Sequence, residues 1–313
     1  MPVRIRALSS LADDVERARR GGAFGPEQRD AAATVVRAVR RGGDAAVLRT
    51  VRRFDRREAR ATDLVVKARA IRRAARACDT ETRRALDLAY ARILRFHQRQ
   101  RPRAIRRRDR VGEVSLSPEP LGRVGALVPR GLAAYPSTAL MTGVPARVAG
   151  VGALVVASPM PRDGSLDPAL AYALVLVEAD LLYRAGGAAA VAALAYGTRA
   201  LGRVDKIVGP GNAISAAAKW LVSADVGIDA LQGPSELVVI ASGDADPRTL
   251  ALDLLAQAEH GSGAFAAVIS DEPRLLRAIG DALKGNDSTR IAGYRVADLR
   301  AAAHAADEAA PEH

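Results

Sequence analysis

The stretch RVGALVPRGLAAYPSTALMTGVPARVAGVGALVVASP, residues 123–159, decides the fold class of this chain. It opens on an apolar run at 124–128, passes into a helical pattern over 138–148, and returns to a second apolar run at 153–157. Apolar strands joined by a helical crossover build a parallel sheet covered on both faces. The same alternation continues downstream. Strands are expected over 181–184, 206–208, 237–241 and 265–270, and helices over 188–196, 213–222, 248–260 and 274–283. Ligands of such sheets bind at the carboxyl ends of the strands, which says where chemistry is expected.

Upstream of this stretch the pattern is helical. Val35, Val36 and Val39 share one face, Gly42-Gly43 ends that helix, and Asp44 caps the next, which carries Val47, Leu48, Val51 and Phe54. A longer helix begins near Thr80, sets Leu86, Tyr90, Ile93 and Leu94 on one side, and must stop before Pro102. Aromatic residues are only 4% of the 313, so the core is built from Ala, Val, Leu and Ile. No apolar run is long enough to span a membrane, the first ten residues lack the apolar region of a secretory signal, and Cys78 has no second cysteine to pair with. A cytoplasmic protein fits these features.

The net charge of +12 is concentrated at one end. Residues 1–110 carry 31 Lys and Arg against 13 Asp and Glu. Such a segment can be a footprint for nucleic acid, with Arg106-Arg107-Arg108 as its best contact. Most of these arginines alternate with Ala, Val and Leu at helical spacing, however, and no stacking aromatics accompany them. Solvated helix faces explain them more simply, and nucleic acid is not the expected partner.

Three local patterns could carry chemistry. Gly209-Pro210-Gly211-Asn212 follows a strand and opens a helix, so its amides can face a phosphate, although a plain tight turn looks the same. Gln257 and His260 share a helix face at i and i+3, where they are two donors of a zinc site or an ordinary helix end. Glu312-His313 sets a carboxylate beside an imidazole, an acid–base pair or a frayed polar tail. His97 and His304 read as surface residues of Arg- and Ala-rich helices.

Taken together, the segments resemble the histidinol dehydrogenase family. The matching blocks are VRRGGDAAVLRTVRRFD at 39–55, RFHQRQ at 95–100, RVGALVPRGLAAYPSTALM at 123–141 and PARVAGVGALVVASP at 145–159. They continue as GGAAAVAALAYGT at 186–198, VDKIVGPGN at 204–212, GPSELVVIA at 233–241, DLLAQAEHG at 253–261 and APEH at 310–313. The resemblance implies two Rossmann-like α/β domains with parallel sheets and a helical N-terminal segment. The expected division is an extension over 1–26, a discontinuous zinc and substrate domain from 27–127 with 235–313, and an inserted cofactor domain over 128–234.

The implied reaction is the two-step oxidation of L-histidinol to L-histidine, with NAD and Zn2+ as cofactors, in a homodimer of histidine biosynthesis. On this resemblance Gln257 and His260 are zinc ligands that also hold substrate, Ser235 contacts substrate and Asn212 contacts NAD. Glu312 and His313 form the catalytic pair, His313 also touching substrate. The family has Tyr where Leu127 stands, Gly where Arg130 stands and Gln where Ala189 stands. Two of its marked NAD contacts are therefore changed, and restoring them by Leu127→Tyr with Ala189→Gln is expected to tighten NAD. The family also continues past the Pro-Glu-His motif, where its other zinc ligands lie. Two alternative readings stay open: a dehydrogenase of another small polar alcohol, and an inactive paralogue or fragment with a binding role. In the latter, two ligands hold zinc weakly and histidinol is not turned over.

Overall fold

The computed structural model describes residues 4–19, 23–130, 134–231, 235–259, 264–285 and 290–313. Strand β1 (Arg4–Arg6) and helix α1 (Leu11–Arg19) come first, then the helical run α2 (Pro26–Phe54), strand β2 (Val65–Lys67), α3 (Ala68–Ala75) and α4 (Thr80–His97). A hairpin of β3 (Ile105–Arg108) and β4 (Glu113–Leu116) precedes β5 (Arg123–Leu127), α5 (Pro136–Val148), β6 (Ala153–Ala157) and α6 (Pro168–Leu176). The alternation goes on through β7 (Leu181–Tyr183), α7 (Gly187–Tyr196), β8 (Lys206–Val208), α8 (Ala213–Val222) and β9 (Gly227–Ile228). It ends with β10 (Glu236–Ile240), α9 (Pro247–Ala258), β11 (Phe265–Ser270), α10 (Pro273–Ala282), β12 (Ile291–Arg295) and α11 (Leu299–Ala309). This is the α/β class that the alternation implies.

The chain divides into two compact units, residues 26–231 and residues 1–25 with 232–313. These boundaries differ from the expected ones, which joined 27–127 to 235–313 and set 1–26 apart. The reason is where the helical third finds its apolar partners. Val36, Val39, Val47 and Val51 of α2 are buried, and α2 packs on α7 and α8. Leu86, Ile93 and Leu94 of α4 join Leu140 and Val144 of α5 in one core cluster. The N-terminal strand goes the other way, pairing in parallel with β12.

In the unit 26–231 the sheet order is β2-β7-β6-β5-β8-β9, parallel throughout except for the edge strand β2, which runs antiparallel to β7. The chain starts at β5, moves outward to β6 and β7, and returns to build β8 and β9 on the other side. That reversal opens a crevice between β5 and β8 at their carboxyl ends. Gly43 breaks α2 at φ 49° and ψ −135°, the helix boundary that Gly42-Gly43 signals. Asp44 has another task than the expected cap: its carboxylate accepts from the Ala200 N–H at 3.0 Å and the Tyr183 hydroxyl at 3.5 Å. Arg106, Arg107 and Arg108 lie on the β3–β4 hairpin, whose residues are exposed throughout.

In the other unit β1, β12, β11 and β10 form a parallel sheet in that order. Its central strand alternates strictly between two cores. Ala267 and Ile269 face Leu11, Val15 and Ala302 of α1 and α11, whereas Ala266 and Val268 face Leu254, Leu276 and Ile279 of α9 and α10. Short β1, β2, β9 and β12 have no counterpart in the sequence reading. Among the described residues no helix is long and apolar enough to cross a membrane.

Candidate active site

In the unit 26–231 a cleft of about 130 Å³ lies where the strand order reverses. Its walls are the residues that follow four adjacent strands: Pro129 after β5, Pro159 after β6, Gly186 after β7 and Gly211-Asn212 after β8. Helices α7 and α8 both begin there, so the positive ends of two helix dipoles meet one space, an arrangement suited to a pyrophosphate. The backbone needs glycine at two of these positions. A side chain on Gly209 (φ 100°) would come within 2.4 Å of the Leu127 carbonyl, and one on Gly186 within 2.5 Å of Pro159. The strand-to-helix turn is therefore shaped for close approach of β5 to β8.

Asn212 sits at this turn and has a structural task. Its Oδ1 accepts from Ser215 N–H and Ser215 Oγ, both at 3.0 Å, which makes it the N-cap of α8. Its amide nitrogen is thereby turned away from the cap. Leu127 lines the cleft and is buried, and Arg130 lines it from the exposed side. Ala189, 1% exposed, is not part of the cleft wall. The turn is also tied from behind by two residues that sequence reasoning missed. Lys219 of α8, 1% exposed, donates to the Gly209 carbonyl at 3.1 Å and pairs with Asp229. Asp229 accepts the Gly209 N–H at 2.7 Å. Burial pushes the Asp229 carboxyl up, but Lys219 and the backbone amides outweigh it and hold it below its ordinary value.

The unit formed by 1–25 and 232–313 gathers the other candidates around the start of β10. Gln257, near the end of α9, is buried and donates from Nε2 to the Ser235 carbonyl at 2.7 Å and to Ser235 Oγ at 3.1 Å. His260, its expected partner, lies outside the described residues. Among the described residues no group of three or more His, Cys, Asp or Glu could hold a metal ion. With Gln257 as the one described donor of the pair, these residues do not by themselves make up a four-donor zinc site.

Glu312 and His313 are docked, not frayed. The His313 N–H donates to the Glu236 carbonyl at 3.1 Å, and the Val238 N–H donates to the His313 carbonyl at 3.0 Å, extending the sheet beside β10. Glu236, 2% exposed, holds this segment with its side chain as well. Its carboxylate accepts the Glu312 N–H at 3.3 Å and the Arg19 guanidinium at 3.2 and 3.3 Å. Arg19 also donates to the Ala310 carbonyl. The imidazole and carboxylate of the pair stay exposed, with His313 Nε2 4.0 Å from Glu312 Oε1. In this unit the candidates do not lie at the carboxyl ends of the strands. Ser235, Gln257 and the pair lie at the amino end of β10, because α9 runs back along the sheet before β11 begins.

His97 and His304 are surface residues with partners of their own, Gln100 at 2.6 Å and Glu308 at 3.7 Å.

The chain as a whole is similar to known proteins of one family. A family model described as histidinol dehydrogenase matches residues 19–313. Histidinol dehydrogenase of Cereibacter sphaeroides is 44% identical over 90% of this chain and 68% of its own length. That of Bradyrhizobium diazoefficiens is also 44% identical, over 96% of this chain and 71% of its own. The crystal structure of histidinol dehydrogenase from Elizabethkingia anophelis superposes with a TM-score of 0.86 at 27% identity, covering 99% of this chain and 75% of that one.

Proposed function

This chain belongs to the histidinol dehydrogenase family of oxidoreductases, and on that premise we propose that it oxidises L-histidinol to L-histidine in two NAD-dependent steps, using Glu312 and His313 as its acid–base pair. One observation carries the reading: the pair is anchored beside β10, next to the Ser235–Gln257 contact, with both reactive groups left exposed. NAD would accept a hydride in each oxidation, its pyrophosphate held by the N-termini of α7 and α8 and its sugar or amide reached by Asn212. In the first step His313 takes the hydroxyl proton as hydride leaves the carbinol carbon. In the second Glu312 removes a proton from the water that attacks the aldehyde. Ser235 and Gln257 position the substrate.

Zinc is assigned by the resemblance to Gln257 and His260. Of these two, Gln257 lies among the described residues. A homodimer in the cytoplasm fits the reading. The β3–β4 hairpin supports pairing, since Ile105, Val111, Val114 and Leu116 are all exposed along it, an apolar surface that a second subunit would cover.

The test is formation of NADH from NAD, dependent on L-histidinol, by the protein supplied with Zn2+. His313→Ala should abolish the first oxidation. Glu312→Gln should leave hydride transfer from the alcohol and slow conversion of the aldehyde. No histidinol-dependent NADH, or a rate indifferent to both substitutions, would sink the proposal. Preference for a different small alcohol would keep the chemistry and change the substrate.

A further inference from the structure

We infer that Lys219 and Asp229 are positioning residues of the cofactor cleft, a buried ion pair that fixes the Gly209-Pro210-Gly211-Asn212 turn in the shape that receives a pyrophosphate. The inference rests on the reading of that cleft as the NAD site.

Both backbone polar groups of Gly209 end on the pair: its carbonyl on Lys219 and its N–H on Asp229. Asp229 also accepts the Ala230 N–H at 2.7 Å, which orients the carboxylate. Gly209 is the residue at φ 100° that lets β8 pass close to Leu127 of β5, so its orientation sets where Pro210 and Gly211 enter the cleft wall. Neither charged side chain lines the cleft. They act through the turn.

A surface pair could not do this. Burying an ammonium in the helix that leads away from the turn is costly unless it is paired and hydrogen-bonded, and here each partner supplies what the other needs. The pair is neutral overall, so it supplies orientation to the turn and not net charge. An apolar pair of equal volume would fill the space without specifying the orientation of Gly209.

The test compares ligands that need the turn with one that does not. NAD, ADP and adenosine are titrated by calorimetry into the unmodified chain, Lys219→Met, Asp229→Asn and the double variant, with Trp220 fluorescence reporting cooperative unfolding of each. The double variant removes both charges together, so a single variant that fails to fold does not end the experiment. Loss of about tenfold or more in NAD and ADP affinity, with adenosine unchanged, is expected. NAD affinity that ignores the substitutions, or equal weakening of all three ligands, would overturn the inference alone. Absence of NAD binding by the unmodified chain would remove the cofactor reading and the inference with it.

Discussion

Glu236→Gln tests how the acid–base pair is held. The carboxylate is 3% exposed and receives three N–H groups, two from Arg19 and one from Glu312. Hydrogen bonds to a charged group contribute about 1.5–3 kcal/mol. The low end applies here, because Arg19 is 42% exposed and returns to water. The amide that replaces the carboxylate keeps one acceptor for Glu312 but sets N–H against guanidinium. A loss of about 2 kcal/mol in the docking of residues 310–313 follows, roughly thirtyfold in its opening equilibrium. Amide exchange read by NMR is the assay. The His313 and Val238 N–H groups, which pair the tail to β10, should exchange roughly thirtyfold faster in the variant, whereas amides of α7 in the other unit should be unaffected. Equal protection of His313 in both proteins would refute the argument, and the backbone pairing alone would then hold the tail.

Asp14 gives a pH prediction. Burial pushes its carboxyl up, but hydrogen bonds from Tyr294 at 2.5 Å and Arg6 at 2.7 Å outweigh that and hold it below the ordinary 3.8. A folded value below the unfolded one stabilises the protein above that ordinary value and is lost as pH falls through the folded value. Tyr294→Phe should therefore flatten the acid limb of stability against pH, measured by urea unfolding; an unchanged limb would show that the bond contributes nothing. In the cleft, Leu127→Tyr should tighten NAD about two- to tenfold, one hydrogen bond, because residue 127 lines the space. Ala189→Gln should instead lower stability by about 1–3 kcal/mol without tightening NAD, because it forces an amide into a position that is 1% exposed. Gain of affinity from Ala189→Gln alone would show that its side chain reaches the cleft.

The alternation of apolar runs and helical stretches is enough to find β5 to β8 and their crossovers; β5 and β6 are buried on both faces and read as continuous hydrophobicity, while β8 shows only as the short run before the Gly-Pro-Gly turn. The short edge strands gave no such signal. β1 alternates Arg4, Ile5 and Arg6, and β12 contains Ala292 and Gly293, residue types depleted in strands that give no local strand signal. The compact units divide the helical third differently from the resemblance for a related reason: helical periodicity shows that α2 has an apolar face, not which surface will cover it. Gly209-Pro210-Gly211-Asn212 was legible as a turn, yet the pair that ties it was not. A lysine in the helix 213–222 reads as a solvent-facing residue, and its partner lies ten residues on in the loop after β9. Arg19 and Glu236 are 217 residues apart, so no local pattern could have joined them. The Glu312-His313 pair was distinguishable from a loose tail only through the family resemblance.

The stoichiometry of the reaction tests the central claim most directly. With L-histidinol, NAD and Zn2+ supplied, the NADH formed and the L-histidine released are measured in the same sample. The account predicts two NADH for each L-histidine, no free aldehyde, and loss of both products in His313→Ala. One NADH with release of the aldehyde, or no histidine at all while NAD is bound, would contradict the assignment of Glu312 and His313 as the pair that completes both oxidations.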